Sequence, residues 1–269
     1  MTQRYLIIFD TGNAPEQMQD IMQAVESDLK GRQLLVINSH QHFDHAWGNV
    51  LFTKDYPAPI IGHQTSLETA LNTEAKQRLI EEQAQHSFLS NVKLVAPTLT
   101  FSERITLDGG DLTLELFPTP GHSSDHISVW IPEIQTILAA DTAEHPIPYA
   151  APDGSIRQLE QDLEYLKSFN PKIVLPCHGG TTEPTLTNQN LRYFKTLHEK
   201  IKAALPLDSS LEANHAPKHI NWTFEAAMQD LNLDATLFDD FYRGLHIQNI
   251  QSILKELSAN GQNTTLDAL

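Results

Sequence analysis

Histidines and an aspartate stand close together just after a hydrophobic segment at residues 34–37. The chain there reads His40-Gln41-His42-Phe43-Asp44-His45, an H-x-H-x-D-H motif. In a turn that leaves a strand, residues two apart project to the same side, so His40 and His42 can hold one ion while Asp44 and His45 turn toward a second. Zinc and its first-row neighbours accept imidazole and carboxylate ligands. The motif therefore predicts metal binding, and two such ions can activate water for hydrolysis.

Three further candidate ligands each follow a predicted strand. His122 stands in the sequence T-P-G-H-S after a strand at 112–117, Asp141 ends a strand at 136–140, and His178 follows a strand at 172–175. In α/β proteins the carboxyl ends of strands are where loops converge and sites form. We therefore predict that these three residues join the same site.

The ordered motifs H-x-H-x-D-H, P-G-H, A-D and P-x-H-G resemble those of the metallo-β-lactamase superfamily. The similarity runs from a D-T-G turn at residues 10–12 to about residue 200. This resemblance implies two divalent metal ions, with zinc as the first choice and iron or manganese as alternatives. It assigns His40, His42 and His122 to the first ion, assigns Asp44, His45 and His178 to the second, and makes Asp141 the bridge between them.

The aspartate at position 141 helps to distinguish between branches of the superfamily. True β-lactamases of this fold carry cysteine or histidine at the position that corresponds to Asp141. The resemblance therefore disfavours antibiotic destruction and favours the glyoxalase II, lactonase, phosphodiesterase and ribonuclease branches.

Other residues near the motifs have weaker signals. Tyr149 follows Asp141 on a proline-bearing loop that also contains Glu144 and His145, and some lactonases present a substrate-polarising tyrosine on such a loop, at a different spacing. His126 could be a ligand, could support Asp44 by a hydrogen bond, or could be a core histidine. Cys177 precedes His178, and we expect it to be a small buried packing residue.

The elements that must position these residues alternate between strands and helices. Apolar segments predict strands at Tyr5–Phe9, 34–37, near Ile105, and at 112–117, 127–131, 136–140 and 172–175, with helices between them. This alternation predicts an α/β protein, and the resemblance implies the metallo-β-lactamase αββα sandwich. We expect that domain at residues 1–205. A linker at 206–218 and helices at 224–231 and 237–257 predict a helical extension at 206–269.

A departure from the family bears on assembly, and an inserted segment bears on access to the metals. A β-hairpin commonly precedes the D-T-G turn, yet nine residues do so here, so an edge strand is either missing or supplied by a partner subunit. The second alternative implies a homo-oligomer. The polar stretch at residues 65–90 predicts one or two helices, which we expect to form a lid or wall over the metals.

The composition of the chain indicates which classes of partner and which environment suit it. The chain has 269 residues and a formal net charge of −16, which repels phosphate backbones and makes a nucleic-acid partner unfavourable. No apolar run is long enough to span a membrane. A single cysteine agrees with a reducing compartment, and we expect a cytoplasmic protein with a small-molecule substrate.

These observations predict a metal-dependent hydrolase of a small carboxylic ester, lactone or thioester, acting through a hydroxide that bridges the ions. Asp44 would be both a ligand and the acceptor of the hydroxide's proton. The alternatives are a phosphodiesterase or nuclease of the same fold, an iron-dependent redox enzyme, and a structural or sensor protein whose metals only stabilise the fold.

Overall fold

The computed structural model describes residues 1–204, 220 and 222–260. The chain divides into two compact units. Unit 1 contains Met1–Thr119 and Ser124–Gln135, and unit 2 contains Pro120–Ser123 and Thr136–Leu269. The predicted linker at 206–218 lies outside the described residues, and the predicted domain boundary at 205 and 206 stays a prediction.

Unit 1 is built on a four-stranded parallel sheet in the order β1-β2-β3-β4. The strands are Tyr5–Phe9 (β1), Gln33–Ile37 (β2), Ile60–His63 (β3) and Leu99–Phe101 (β4). Its helices are Pro15–Val25 (α1), Phe43–Ala46 (α2), Ser66–Thr69 (α3) and Thr73–Gln85 (α4). An antiparallel ladder follows, formed by Ile105–Asp108 (β5), Thr113–Pro118 (β6) and Ile127–Ile131 (β7).

The core of unit 1 lies between the parallel sheet and α1. Pro15 begins α1, where a missing backbone N–H costs nothing, and Met18 and Met22 are buried on one face. They pack with apolar residues of the strands and of the turn after α2, namely Leu6, Leu34, Val36, Leu51, Phe52 and Ile60. This packing fixes the carboxyl end of β2, from which the H-x-H-x-D-H motif departs.

The insertion predicted to be helical contains α3 and α4. Asn72 caps α4 by accepting a hydrogen bond from the Ala75 backbone N–H at 2.7 Å. No residue of α4 is buried, which agrees with its thin apolar face.

Unit 2 combines a parallel strand pair with helices that pack on one another. The strands are Thr136–Ala140 (β8) and Ile173–Pro176 (β9). The helices are Ile156–Ser168 (α5), Leu186–Ala204 (α6), Phe224–Asp230 (α7) and Asp240–Asn260 (α8). Helices α5, α6 and α8 pack against each other, so the predicted C-terminal helices are an integral part of this unit.

Most predicted elements are confirmed, but two strands were not predicted. β3 and β4 have four and three residues, and β4 lies just after Pro97 in a segment without clear alternation. Such short strands carry little periodicity, and their pairing comes from the neighbouring strands. No helix in the described part of the chain is long and apolar enough to cross a membrane.

Gly121 marks the closest packing of a motif loop on a helix within unit 2. A Cβ at this position would lie 2.2 Å from Leu159 Cα in α5. The Gly121 N–H donates to Asp162 Oδ2 at 2.7 Å, and burial raises the pKa of Asp162 to about 6. The glycine of P-G-H is therefore required by backbone-to-backbone contact beside His122.

We predict that Gly121→Ala lowers the free energy of unfolding by at least about 2 kcal/mol, because the new methyl group meets backbone atoms that cannot move aside. Denaturant unfolding of metal-free protein measures this change. The matched control is Gly244→Ala in α8, where a Cβ meets nothing within 4 Å and should stabilise the helix by up to about 1 kcal/mol. Equal stability of the two variants would contradict the packing argument.

Candidate metal centre

In unit 1, His45 is held by the aspartate of the D-T-G turn. Asp10 Oδ2 lies 2.9 Å from His45 Nδ1, and a carboxylate can only accept, so Nδ1 carries the proton. His45 Nε2 then presents a lone pair, which is the form that binds a metal ion. Asp10 adopts a left-handed backbone, with φ of 62°, a conformation that Asp tolerates better than most residues.

Ser39 extends this chain of hydrogen bonds to His40. Its Oγ donates to Asp10 Oδ2 at 2.8 Å, and its backbone N–H donates to Asp10 Oδ1 at 2.7 Å. Because the hydroxyl proton is used on Asp10, Oγ accepts from His40 Nδ1 at 2.9 Å. One carboxylate thus fixes the tautomers of two histidines of the motif. The His42 ring lies edge-on to that of His40, with centroids 4.4 Å apart.

In unit 2, His122 is fixed in the same way by a backbone group. Its Nδ1 donates to the Tyr149 carbonyl at 3.0 Å, and the two rings are 4.8 Å apart.

The other two candidate ligands of unit 2 follow its two strands. Asp141 follows β8, directly after Ala140, which has a φ of 45°. His178 follows β9, where Gly179, with φ of 98°, passes so close to His145 that a Cβ would lie 2.2 Å from its carbonyl oxygen.

Three imidazole–carboxylate pairs have the same spacing. Nε2 lies 3.6 Å from a carboxylate oxygen in His45–Asp44, in His122–Asp141 and in His178–Asp141. This distance is too long for a hydrogen bond. A tetrahedral ion about 2.1 Å from both atoms would hold them about 3.4 Å apart. The donor atoms and their spacing therefore fit divalent ions.

Asp141 presents one oxygen to each of two histidines. Oδ2 faces His122 and Oδ1 faces His178. A carboxylate can bridge two ions in this arrangement, with one oxygen on each; the bridging role of Asp141 stays a prediction.

A buried polar network supports the motif loop in unit 1. The Thr11 backbone N–H and Oγ1 both donate to the His45 carbonyl, at 2.7 and 3.1 Å. Thr11 Oγ1 also lies 3.0 Å from Asn49 Oδ1, and Asn49 donates to Asn38 Oδ1 at 2.8 Å. The role of Asn49 was not predicted, because its contacts join distant parts of the chain.

Asp125 connects the inserted helices to the motif within unit 1. It is 2% exposed, and its Oδ2 accepts hydrogen bonds from Ser66 and Thr69 of α3 at 3.0 and 2.9 Å. The same oxygen accepts from the Gln41 backbone N–H, between the two histidines, at 3.1 Å. The insertion is thereby anchored to the backbone of the H-x-H motif.

In unit 2, helix α8 holds the loop that supports His122. Asn249 and Gln248 donate to the carbonyls of Pro148 and Ala150 at 2.9 and 3.0 Å. Glu256 Oε1 accepts from the Ile156 N–H at 2.8 Å, at the start of α5. These contacts join positions about 100 residues apart, which no local pattern predicts.

Several sequence-based expectations can now be compared with the structure. The expectation that Cys177 is buried is wrong: its side chain is exposed, because it sits in the turn after β9. His126 is fully buried, with Nδ1 2.9 Å from Thr119 Oγ1. Tyr149 is partly buried, and its backbone carbonyl accepts the hydrogen bond from His122 Nδ1. A substrate-polarising role for its hydroxyl stays a prediction.

Sequence analysis assigned no role to two further residues of unit 2. Glu144 is 1% exposed, and one of its carboxylate oxygens lies within 4.8 Å of ligand atoms of His122 and Asp141. In α8, burial, together with the negative charges of Glu144, Asp239 and Asp141, raises the pKa of Tyr242 well above its usual value. The Tyr242 hydroxyl therefore keeps its proton at neutral pH.

We predict that Asp10→Asn weakens binding of at least one metal ion by about ten- to a hundredfold, the usual effect of removing a group that orients a ligand histidine. The amide accepts the left-handed backbone but places an N–H group near His45 Nδ1, which favours the tautomer that cannot bind a metal through Nε2. Chelator competition measures the affinities. Exposed Asp20 in α1 provides the matched control, Asp20→Asn, and wild-type affinity in Asp10→Asn would contradict this role.

Comparison with known proteins agrees with the geometry. A model of the metallo-beta-lactamase superfamily matches residues 2–178. An N-acyl homoserine lactonase of Bacillus thuringiensis is 30% identical over 155 residues, covering 52% of this chain and 54% of that protein. A hydroxyacylglutathione hydrolase of Idiomarina loihiensis is 27% identical over 127 residues, covering 47% and 38%. The chain thus spans about half the length, or less, of these two relatives.

A solved metallo-beta-lactamase from Pontibacter korlensis has the same fold, with a TM-score of 0.56 at 19% identity over 71% of this chain and 83% of that chain. The fold and the family predicted from the motifs are confirmed. Proteins of this family typically bind divalent metal ions. The chain belongs to the metallo-β-lactamase superfamily.

Proposed function

We propose that this protein is a dinuclear metal-dependent hydrolase of small carbonyl esters, with lactones and thioesters as the leading substrate class. The seven residues of the motifs would bind both ions: His40, His42 and His122 the first, Asp44, His45 and His178 the second, and Asp141 both. The observation that carries this proposal is the repeated 3.6 Å spacing between imidazole Nε2 and carboxylate oxygen, found once in unit 1 and twice in unit 2.

The substrate class is supported by the relatives and by the aspartate at 141. Those relatives are described as an N-acyl homoserine lactonase and as hydroxyacylglutathione hydrolases, which act on a lactone and a thioester by name. Both bonds join a carbonyl carbon to a leaving heteroatom, the ring oxygen of the lactone or the sulfur of the thioester. The formal charge of −16 also favours small substrates over nucleic acids.

When bound, two divalent ions would supply hydroxide near neutral pH and would polarise a carbonyl oxygen. The protein's own groups then have separate tasks. Asp44, in the first turn of α2 and partly exposed, would accept a proton at a carboxylate oxygen. Asp10, Ser39 and the Tyr149 carbonyl keep the histidines in the tautomer that leaves Nε2 without a proton.

The first turn of α8 and the turn before it offer an apolar surface for the acyl part of a substrate. Phe238 packs against His145, with centroids 5.5 Å apart, and lies 5.8 Å from Tyr242. Phe241 is 59% exposed and Leu237 is 76% exposed. Because His145 directly follows Glu144, this apolar surface lies beside the metal-facing loop of unit 2. We therefore favour substrates with an apolar acyl group.

A hydrolysis panel with the metal-loaded protein tests the proposal. We expect about two ions per chain by elemental analysis. Turnover should be highest on acylated lactones or thioesters, should be lost on chelation and should return with metal. The panel includes aryl esters, a phosphodiester, and single- and double-stranded RNA across a range of salt. Efficient phosphodiester or RNA cleavage with negligible carbonyl hydrolysis would contradict the substrate class, and one ion or none at saturating metal would contradict the dinuclear centre.

We predict that Asp44→Asn lowers kcat by at least about a hundredfold, because acid–base groups typically contribute factors of 10² to 10⁴. The amide has nearly the same shape but does not accept the proton at neutral pH. Steady-state kinetics on the best substrate, with metal content measured on the same sample, provides the test, and Asp20→Asn is the surface control. Normal turnover by a folded, metal-loaded Asp44→Asn would remove Asp44 from the mechanism.

A further inference from the structure

Glu144 is a buried carboxylate that none of the family motifs includes. It stands three residues after Asp141, in the loop that follows β8. Ligand atoms of His122, Asp141 and Glu144 all lie within 4.8 Å of one another, and the three residues are 0%, 2% and 1% exposed. A glutamate is rarely buried to this extent without an ionic role.

The backbone of Glu144 is fixed by Asn190 of α6. Asn190 Oδ1 accepts from the Glu144 N–H at 3.1 Å, and its amide donates to the Glu144 carbonyl at 2.8 Å. Asn190 itself is fully buried. These two bonds hold the main chain for any side chain at this position, so they do not explain why the side chain is a carboxylate.

The ligand atoms of His122 and Asp141 that lie near the Glu144 carboxylate are electron-pair donors. His122 Nδ1 is protonated because it donates to the Tyr149 carbonyl, so His122 Nε2 presents a lone pair, 3.6 Å from Asp141 Oδ2. The carboxylate oxygens of Asp141 and Glu144 add further electron pairs within 4.8 Å of that nitrogen. A divalent cation is the group that would interact favourably with all three donors at once.

We infer that Glu144 is an additional protein ligand, donating a carboxylate oxygen to the ion that His122 and Asp141 hold. The inference rests on the proposed dinuclear centre but not on its substrate. With Glu144, that ion would have five protein ligands before any water or hydroxide is counted, and the added oxygen would make the ligand set harder in the hard–soft sense. Carboxylate-rich sites with more than four ligands suit manganese and iron better than the four-coordinate geometry usual for zinc.

This assignment predicts a metal preference that depends on one side chain. Removing the Glu144 oxygen should weaken Mn²⁺ binding by more than it weakens Zn²⁺ binding. Zinc should still bind more tightly than manganese in absolute terms, as it usually does at nitrogen and oxygen sites. The ratio of the two affinities, rather than either affinity alone, therefore reports the role of Glu144.

Chelator competition on wild type and Glu144→Gln, with Mn²⁺ and Zn²⁺ in turn, tests the inference. We expect Glu144→Gln to lose at least tenfold in Mn²⁺ affinity and less in Zn²⁺ affinity. The visible spectrum of the Co²⁺-loaded variant should also gain intensity, because its cobalt site loses a donor and moves toward tetrahedral geometry. The matched control is Glu160→Gln in α5, which removes a carboxylate that pairs with His198 and should change neither property.

Metal-dependent stability provides a second measurement. Added Mn²⁺ should raise the Tm of Glu144→Gln by less than it raises the Tm of wild type, because the variant binds the ion more weakly. If Glu144→Gln does not fold, Glu144→Asp replaces it in the test. The shorter side chain keeps the carboxylate but moves its oxygens away from the ion, so this variant should show the same loss of Mn²⁺ preference.

The outcomes separate this inference from the proposed function. Wild-type affinities and an unchanged Co²⁺ spectrum in Glu144→Gln, with two ions bound by wild type, would overturn the ligand role and leave the hydrolase proposal intact. Equal losses for both metals with an unchanged spectrum would also overturn it, and would assign Glu144 a role in shaping the loop. A wild-type protein that binds no ion would overturn both proposals.

Discussion

The hydrogen bond at the Nδ1 atom of each anchored histidine is the interaction on which the candidate centre depends. Asp10 holds His45, Ser39 holds His40, and the Tyr149 carbonyl holds His122. With Nδ1 protonated, Nε2 can only accept, and each of these rings is fixed in the form that binds metal. A free histidine has two neutral tautomers and rotates about two bonds, so this anchoring removes both sources of disorder before an ion arrives.

One anchoring residue, and one residue beside a candidate ligand, have left-handed backbones. Asp10 has a left-handed backbone and its carboxylate accepts from Ser39 and His45, while Ala140, just before Asp141, is also left-handed. Such backbone costs of order 1–3 kcal/mol persist only where surrounding contacts over-determine the structure. In unit 1 the buried Thr11–Asn49–Asn38 network supplies those contacts, and in unit 2 the side chains of α8 hold the loop that carries the Tyr149 carbonyl. Stability and site geometry are thus provided by the same hydrogen bonds.

The sequence predicted the strand ends that carry the motifs because local information decides both features. A buried strand has a clear apolar pattern, and a polar motif directly after it must lie at the carboxyl edge. The supporting residues were not predictable in this way. Asn49, Asp125 and Asn249 act through contacts with residues far away in the chain, and asparagine or aspartate at such positions looks like an ordinary surface residue. The prediction that Cys177 is buried was wrong for a related reason, because the sequence does not show which residues surround the turn after β9.

Burial of the candidate ligands would couple metal binding to folding. Asp141 and Glu144 are nearly inaccessible and close together, an arrangement that only the folded chain provides. An ion that binds only the folded state would stabilise it by about 4 kcal/mol in total at a thousand times its Kd. On the proposed assignment, the same buried carboxylates would make the stability of the folded protein depend on the concentration of metal. Replacing them with apolar residues would remove that dependence together with the metal site.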